Sequence, residues 1–290
     1  MEIGTAKVTP ADRVRVPHHG LDLVDPDDPF SVSDYVAHVE TVLTDLAERG
    51  HAALLVGGTG LYTRAIATGM ALDALPYDAE VHARIDADLL RDGLESLAAR
   101  LRSAAPRLAA ATDLQNPRRV VRALEIAILA GDIERPAPRG YDGPVLQIGL
   151  NVDPVRLRRR IVERAAGQFR DGLVDETAAL LARFDGTQPA FSGIGYREAG
   201  EVLAGRATVA EALAATTSRT IAYARRQRTW FRAEPGLIWV EADNEAGRDA
   251  IGAVLPLVEA FLSVAMTTAT DAAAAAADTA QQSRGVDEEP

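Results

Sequence analysis

Three arginine clusters and one glycine turn are the parts of this sequence whose residue types could do chemistry. The glycine turn lies in LLVGGTGLY, Leu54–Tyr62, where Gly57, Gly58 and Thr59 separate a short apolar run from a helix. Glycines permit a tight turn, and the free amides that open the next helix attract an anion. This spacing fits contact with a phosphate or a nucleic acid, and it equally fits a plain connection. The chain contains no GxxxxGK[ST] phosphate loop.

The first arginine cluster lies in NPRRVVRALE, residues 116–125. Arg118, Arg119 and Arg122 fall on the first turns of a predicted helix, where positive charge opposes the helix dipole. A ligand such as an RNA phosphate would explain that local cost in stability. A solvated arginine face is an equally good interpretation.

The second cluster places Arg156, Arg160 and Arg164 at i, i+4 and i+8 of another predicted helix, which puts them on one face. Such a row can clamp a pyrophosphate and neutralise the charge that develops on a leaving group. By pattern alone, pairing with acidic neighbours on the surface is the better-supported alternative.

The third cluster is YARRQRTWFR, Tyr223–Arg232, which mixes four arginines with three aromatic residues. Basic and aromatic residues in alternation suit RNA backbones and unstacked bases. A helix with its aromatic residues in the core and its arginines outside would show the same pattern. FSGIGYREAG, residues 191–200, adds a glycine-hinged turn that leads into a helix.

The composition of the 290 residues narrows the class of protein. The absence of cysteine excludes disulfides, thiolate catalysis and a zinc–thiolate site, and we expect a cytoplasmic protein without a membrane span or secretory signal. The net charge of −11 argues against a nucleic-acid partner. However, residues 1–60 carry 4 basic and 10 acidic groups and residues 241–290 carry 2 and 10, so the acidity lies at the two ends. The middle of the chain is comparatively basic.

Hydrophobic periodicity predicts an α/β fold. Short strands are expected at residues 52–56, 145–150 and 237–241, whereas residues 1–32 read as loop. Helices are expected at 33–48, capped by Ser33, and from Leu61 onward. A block of consecutive helices follows at 78–91, 94–104 and 116–129, and further helices are expected at 153–169, 174–184, 196–203, 209–231 and 245–264.

These elements divide the chain into four predicted parts. Residues 1–75 and 136–265 form the two parts of an α/β core, and residues 76–135 form an all-helical insertion domain. Residues 266–290 are rich in alanine and acidic groups, and they read as a disordered tail.

Taken in order, seven segments of the chain resemble the bacterial tRNA dimethylallyltransferases, also called tRNA isopentenyltransferases. The resemblance covers residues 1–262 or thereabouts. The matching segments are MEIGTAKVTP (1–10), VPHHGLDLVDPDDPFSV (16–32), LLVGGTGLY (54–62), NPRRVVRALE (116–125), RIVER with the GL that follows (160–173), GIGYRE (193–198) and ARRQRTWFR (224–232).

The resemblance implies a reaction and a fold. The family transfers a dimethylallyl group from dimethylallyl diphosphate to N6 of the adenosine 3′ of the anticodon, releases pyrophosphate and uses Mg²⁺. The adenine must leave its stack to reach the donor. The implied fold is a P-loop-type parallel sheet core with an all-helical insertion that grips the anticodon stem-loop, and the implied protein is a cytoplasmic monomer.

The resemblance also implies roles for residues. Arg164 corresponds to the arginine that holds the diphosphate and stabilises its departure, and Gly57, Gly58 and Arg160 lie on the diphosphate side. The implied tRNA-contacting positions are Thr59, His82, Arg118, Arg119, Val120, Val121, Arg122, Ser192, Gly193, Ile194, Gly195, Tyr196, Arg197, Arg225, Arg226, Gln227, Arg228, Thr229, Trp230, Phe231 and Arg232.

The sequence departs from the family pattern in three places. The family's phosphate loop and the Asp that serves as its general base precede the motif that begins here at Met1. We therefore expect an N-terminally incomplete core, without its Mg²⁺-binding segment and inactive as written, because of an internal start or a truncation. Ile221 and Ala222 replace a polar pair, and the acidic tail lies beyond the family motifs.

Two other functions remain open. The chain could be a non-catalytic RNA-binding remnant of this family. It could also be a small-molecule phosphotransferase of the P-loop class, but that function gives the segments TWFR and RRVVRALE no role.

Overall fold

A computed structural model of the protein describes residues 1–72, 74–242 and 250–264. Helices dominate these ranges, and a pair of short strands accompanies them. The elements are α1 (Pro10–Arg15), α2 (Val32–Glu48), α3 (Gly60–Ala67), α4 (Ala79–Ala104), α5 (Pro106–Ala110), α6 (Pro117–Ala130), β1 (Ile148–Asn151), α7 (Pro154–Arg170), α8 (Leu173–Leu181), a 3₁₀ turn (Pro189–Ser192), α9 (Tyr196–Leu203), α10 (Val209–Arg232) and β2 (Ile238–Glu241). Residues 250–264 are also helical.

The strands β1 and β2 pair in parallel, with Ile148 opposite Ile238 and Asn151 opposite Glu241. They confirm the predicted strands at 145–150 and 237–241, with later starting points. The α/β class is therefore correct, with a small parallel sheet and many helices.

The predicted strand at residues 52–56 is wrong, because these residues are not assigned to any strand. Leu54 is 88% exposed and Val56 is 84% exposed. A strand needs a neighbour to pair its backbone groups and cover its side chains, and no described strand pairs with this run. Its apolar composition therefore did not suffice to place it in the sheet.

The chain divides into two compact units. The core unit comprises Met1–Phe30, Thr44–Gly60 and the residues from Asp142 onward, and the helical unit comprises Ser31–Leu43 and Leu61–Tyr141. The helical unit is thus larger than the insertion predicted at 76–135. One reason is that Tyr35 of α2 stacks on Tyr62 of α3 with 4.7 Å between ring centroids, which joins these two helices ahead of the predicted boundary.

The core of the helical unit lies where α4 packs against α6. Leu97 and Leu101 of α4 meet Val120 and Leu124 of α6, all four buried. At Gly93 the backbone has φ 78° and ψ 167°, which breaks α4 into the two helices predicted at 78–91 and 94–104. The short helix α5 was missed, since its few residues carry no usable periodicity.

The helices of the core unit pack in sequence order and then back onto each other. α8 packs against α9, and α10 packs against both α7 and α9. Leu173, Phe191 and Tyr196 are the large buried side chains at the contact between α8 and α9. This arrangement holds α7, α9 and α10, which carry three of the motifs, in one packed group.

The ends of several elements differ from the predictions. Ser31 caps α2 in place of Ser33: its Oγ accepts from the amide of Asp34 at 3.2 Å while the Asp34 carboxylate accepts from the amide of Ser31 at 2.7 Å. Residues 1–32 include α1, which Thr9 caps. The predicted helix at 245–264 is described from residue 250, and the tail predicted at 266–290 lies outside the described residues. No helix in the described part of the chain combines the length and apolar character needed to cross a bilayer.

Candidate functional site

The glycine turn of the core unit lies directly on helix α10. The side-chain amide of Gln227 donates from Nε2 to the carbonyl of Gly58 at 2.9 Å. The hydroxyls of Thr59 and Tyr223 lie 3.4 Å apart. Two of the predicted motifs, distant in sequence, are therefore in direct contact.

The close approach explains why this turn needs glycine. A Cβ atom on Gly60 would lie 2.1 Å from the indole nitrogen of Trp230, and one on Gly58 would lie 2.0 Å from the Gln227 amide nitrogen. Neither distance is compatible with a side chain. Thr59, between them, remains exposed. The glycines thus serve the contact with α10, and the threonine is the residue of the turn that an RNA or a diphosphate could reach.

Helix α10 has an inner and an outer face. Tyr223, Gln227 and Trp230, spaced i, i+4 and i+7, are half-buried toward the glycine turn. The exposed residues of the same motif are Arg225, Arg226, Thr229 and Arg232, whereas Arg228 and Phe231 are half-buried. Both interpretations of this motif are therefore compatible: the aromatic side packs, and the arginine side faces solvent.

Arg219 ties α10 to the GIGYRE turn. Its Nη1 pairs with Glu198 Oε1, and its Nη2 donates to the carbonyl of Ser192 at 3.2 Å. The other Glu198 oxygen accepts from the amide of Gly195 at 2.8 Å. Arg219 lies outside the motifs singled out as contact stretches. Its one sequence signal was a position one turn before the substituted pair Ile221 and Ala222.

Tyr196, expected to contact tRNA, is instead buried. Its hydroxyl donates to Glu176 Oε2 at 2.9 Å and accepts from the amide of Gly4 at 3.1 Å. Burial, followed by the hydrogen bond to Glu176, raises the pKa of Tyr196 well above its usual value. The side chain therefore fixes the MEIGTAK segment onto α8 and α9. Around it Gly195 is buried and Gly193 and Ile194 are half-buried, which leaves Ser192 and Arg197 as the exposed residues of this stretch.

Helix α7 presents the arginine row. Asp153 caps it by accepting from the amides of Val155 and Arg156, each at 3.0 Å. Ile161 forms part of the buried side, while Arg160 and Arg164 are exposed. Arg164 makes no ion pair with any described residue, so the surface interpretation of the row as internally paired does not hold for it. Its guanidinium is available to an anion.

In the helical unit, a buried carboxylate organises two of the predicted tRNA contacts. Glu125 is 0% exposed, and it accepts from Arg122 Nη1 at 2.7 Å, His82 Nδ1 at 3.2 Å and the amide of Asp78 at 2.9 Å. Burial alone would raise the pKa of Glu125, but these hydrogen bonds outweigh it and hold the pKa below its usual value. Arg122 also donates to the carbonyl of Pro76 at 2.7 Å. Arg122 and His82 are thus first of all structural side chains.

The start of α6 nevertheless gathers positive charge. Arg118 is exposed and Arg119 lies 3.7 Å from Asp113. Arg135, which the sequence analysis missed, has its pKa lowered by burial and then by the charges of Arg119 and Arg122. Such mutual repulsion favours a bound anion. Val120 and Val121 do not belong to this surface, because both are fully buried in the core of the helical unit.

The described residues hold no group of three or more His, Asp or Glu side chains arranged to bind a metal ion. They therefore do not form a site for the expected Mg²⁺.

Comparison with known proteins gives a consistent result. The family model described as IPP transferase matches residues 1–234. The tRNA dimethylallyltransferase of Pseudarthrobacter chlorophenolicus is 40% identical over 254 residues, which are 83% of this chain and 80% of that protein. The enzyme of the same name from Salinispora arenicola is 40% identical over 259 residues, 88% of this chain and 75% of that protein.

A solved structure is also similar. The crystal structure of the full-length tRNA isopentenylpyrophosphate transferase from Bacillus halodurans superposes with a TM-score of 0.66 at 32% identity. The superposition covers 93% of this chain and 86% of that one.

Proposed function

The chain belongs to the IPP transferase family, and on that premise we propose that it is a prenyl transferase that modifies tRNA. The proposed reaction moves a dimethylallyl group from dimethylallyl diphosphate to N6 of the adenosine 3′ of the anticodon. The observation that carries the proposal is the contact between the glycine turn and α10, with 2.9 Å between the Gly58 carbonyl and Gln227 Nε2. It assembles two motifs of the family into one site.

The chemistry of the transfer needs positive charge near the donor. The bond between the dimethylallyl carbon and its diphosphate oxygen breaks, a bond from that carbon to the adenine N6 forms, and N6 gives up a proton. The diphosphate leaves with the electron pair of the broken bond. We assign Arg164, with Arg160 one turn earlier, to hold the diphosphate and neutralise that charge, because both are exposed on one side of α7.

The exposed basic and polar residues of the motifs supply the tRNA contacts. We assign this role first to residues whose side chains reach solvent: Thr59, Arg118, Arg119, Ser192, Arg197, Arg225, Arg226, Thr229 and Arg232. Arginine binds phosphate through two donors at once and stacks on bases, so these residues suit an RNA backbone. Gly57 and Gly58 shape the turn that carries Thr59.

Magnesium has no set of ligands among the described residues, and we route no step through it. The ion belongs to the proposal as a companion of the donor's diphosphate, since Mg²⁺ is commonly held by phosphate oxygens and water with few protein ligands. We further propose that the protein acts as a monomer in the cytoplasm.

The proposal is tested by incubating the purified chain with an unmodified tRNA transcript and radiolabelled dimethylallyl diphosphate. We expect label in the RNA. RNA binding without transfer would support the alternative of a non-catalytic RNA-binding protein. Absence of both binding and transfer would overturn the proposal, and phosphoryl transfer to a small molecule would replace it with the phosphotransferase alternative.

A further inference from the structure

A tyrosine of the helical unit lies exposed on a rigid support. Tyr77 immediately precedes the cap of α4, and 65% of its surface is accessible. Large aromatic side chains normally bury most of their area on folding. No motif of the sequence analysis includes this residue.

The support of Tyr77 begins with Arg122. The Arg122 guanidinium carbon lies 5.8 Å from the centre of the Tyr77 ring, within the range of a cation–π contact. Three acceptors hold that guanidinium in place: the carbonyls of Pro76 at 2.7 Å and Leu75 at 3.3 Å, and the carboxylate of Glu125 at 2.7 Å. Arg122 therefore has little freedom to follow the ring, and the ring keeps its position against a fixed partner.

His82 supports the same ring from another direction. Its ring centre lies 5.8 Å from that of Tyr77 at an interplanar angle of 47°. Glu125, 0% exposed, accepts from His82 as well as from Arg122. One buried carboxylate thus orders both neighbours of the exposed tyrosine. A side chain ordered in this way loses little conformational entropy when a ligand covers it.

The charge around this ring suits an anionic ligand. Arg122 belongs to the same group of cations as Arg119 and Arg135, and Arg118 at the start of α6 is exposed. An aromatic face next to several guanidinium groups is the combination by which proteins bind unpaired nucleotides: bases stack on the ring, and arginines take the phosphates.

We propose that Tyr77 is a stacking platform for an unpaired base of the RNA substrate, held by Arg122 and His82, with Arg118 and Arg119 taking the neighbouring phosphates. This inference rests on the proposed function. It assigns the helical unit a contact with single-stranded nucleotides in addition to its charge.

The test compares the binding of two fluorescently labelled RNAs to the full chain: a hairpin with a single-stranded loop, and a blunt duplex with the same stem sequence. Tyr77→Ala is expected to weaken hairpin binding about 5- to 150-fold, since stacking on an aromatic residue is worth that much per base. Duplex binding and the salt dependence of hairpin binding should not change, because no phosphate contact is removed. Tyr77→Phe should bind as the wild type, and Tyr77→Leu should be as weak as Tyr77→Ala.

Two controls separate the possible causes of a change. Tyr141→Ala removes another exposed tyrosine of the helical unit, and it should leave hairpin binding unchanged. Arg118→Ala should weaken both RNAs and reduce the slope of log affinity against log salt by about one unit or less. Equal losses on hairpin and duplex for Tyr77→Ala, or no loss at all, would overturn the stacking role.

The same measurements distinguish this inference from the proposed function. A wild-type chain that binds the hairpin and transfers the prenyl group, with a Tyr77→Ala variant that binds equally well, refutes only the stacking platform. A wild-type chain that binds neither RNA overturns the proposed function and the platform together.

Discussion

Gln227 reaches across 169 positions of sequence to donate a hydrogen bond to the carbonyl of Gly58. That bond joins the glycine turn of the core unit to the helix that carries the largest basic and aromatic motif. On the same helix Tyr223 lies beside Thr59, and Trp230 covers Gly60. The turn and the helix are thus one structural feature, and the proposed tRNA contacts of both depend on it.

The first prediction concerns the packing of the glycine turn. Gly60→Ala would place a methyl carbon 2.1 Å from the Trp230 indole, and overpacking of this kind costs about 1–3 kcal/mol. We expect that loss in the free energy of unfolding from urea titrations. Gly200→Ala is the matched control, since a Cβ there meets nothing within 4 Å. In the interior of α9 it should stabilise the protein by about 0.5–1 kcal/mol. Equal effects of the two substitutions would contradict the packing described.

The second prediction concerns Glu125. Glu125→Ala leaves Arg122, His82 and the amide of Asp78 without their common acceptor. Breaking a buried pair in this way costs about 3–5 kcal/mol, which urea unfolding would measure. The matched control is Glu134→Ala, which removes an exposed ion pair and should cost less than about 1 kcal/mol. A loss for Glu125→Ala no greater than that of the control would contradict this role.

The third prediction concerns the pH dependence of that site. The pKa of Glu125 is lowered in the folded protein, so the folded state favours the ionised carboxylate and the stability it provides is complete above the unfolded pKa near 4.5. That stability is lost as the pH falls through the lower folded pKa. The difference in unfolding free energy between the wild type and Glu125→Gln should therefore shrink on acidification below pH 4.5. A difference that stays constant from neutral to acid pH would refute it.

The fourth prediction concerns Tyr196. Tyr196→Phe removes the hydroxyl that links Glu176 to the amide of Gly4, and a hydrogen bond to a charged group contributes about 1.5–3 kcal/mol. We expect a loss of this size, together with faster proteolysis near the N-terminal segment. Tyr141→Phe alters an exposed hydroxyl instead and should change neither. Unaltered proteolysis in Tyr196→Phe would argue against the anchoring role.

Much of the helical structure could be predicted from the sequence because capping residues and periodicity are local signals. Asn116 and Asp153 each cap a helix at the predicted place. Gly93 separates the two segments of α4 as its position suggested. The run at 52–56 could not be placed in the same way, because a strand depends on a partner elsewhere in the chain.

The candidate site was predicted by motif but not by contact. Sequence reasoning found the glycine turn and the α10 motif, yet it assigned Tyr196, Val120 and Val121 to RNA when burial commits their side chains to packing. It missed the roles of Arg219 and Tyr77, since each depends on side chains brought close only by the fold. Position on a helix face predicts exposure, whereas partners across the fold have no signature in a single sequence.

The central claim is the transfer of a dimethylallyl group to tRNA, and Arg164 provides its sharpest control. Arg164→Ala should lower transfer about 10²- to 10³-fold, as loss of one donor to a developing charge does, while RNA binding persists. Arg170→Ala, on the same helix and beside Asp171, should behave as the wild type.

The most direct measurement is mass spectrometry of the nucleosides released from a tRNA transcript after incubation with dimethylallyl diphosphate. The predicted result is a prenylated adenosine that forms with the wild type, that disappears when the adenosine 3′ of the anticodon is replaced by guanosine, and that falls sharply with Arg164→Ala. An RNA that is bound by the wild-type chain and recovered without any prenylated adenosine would contradict the claim.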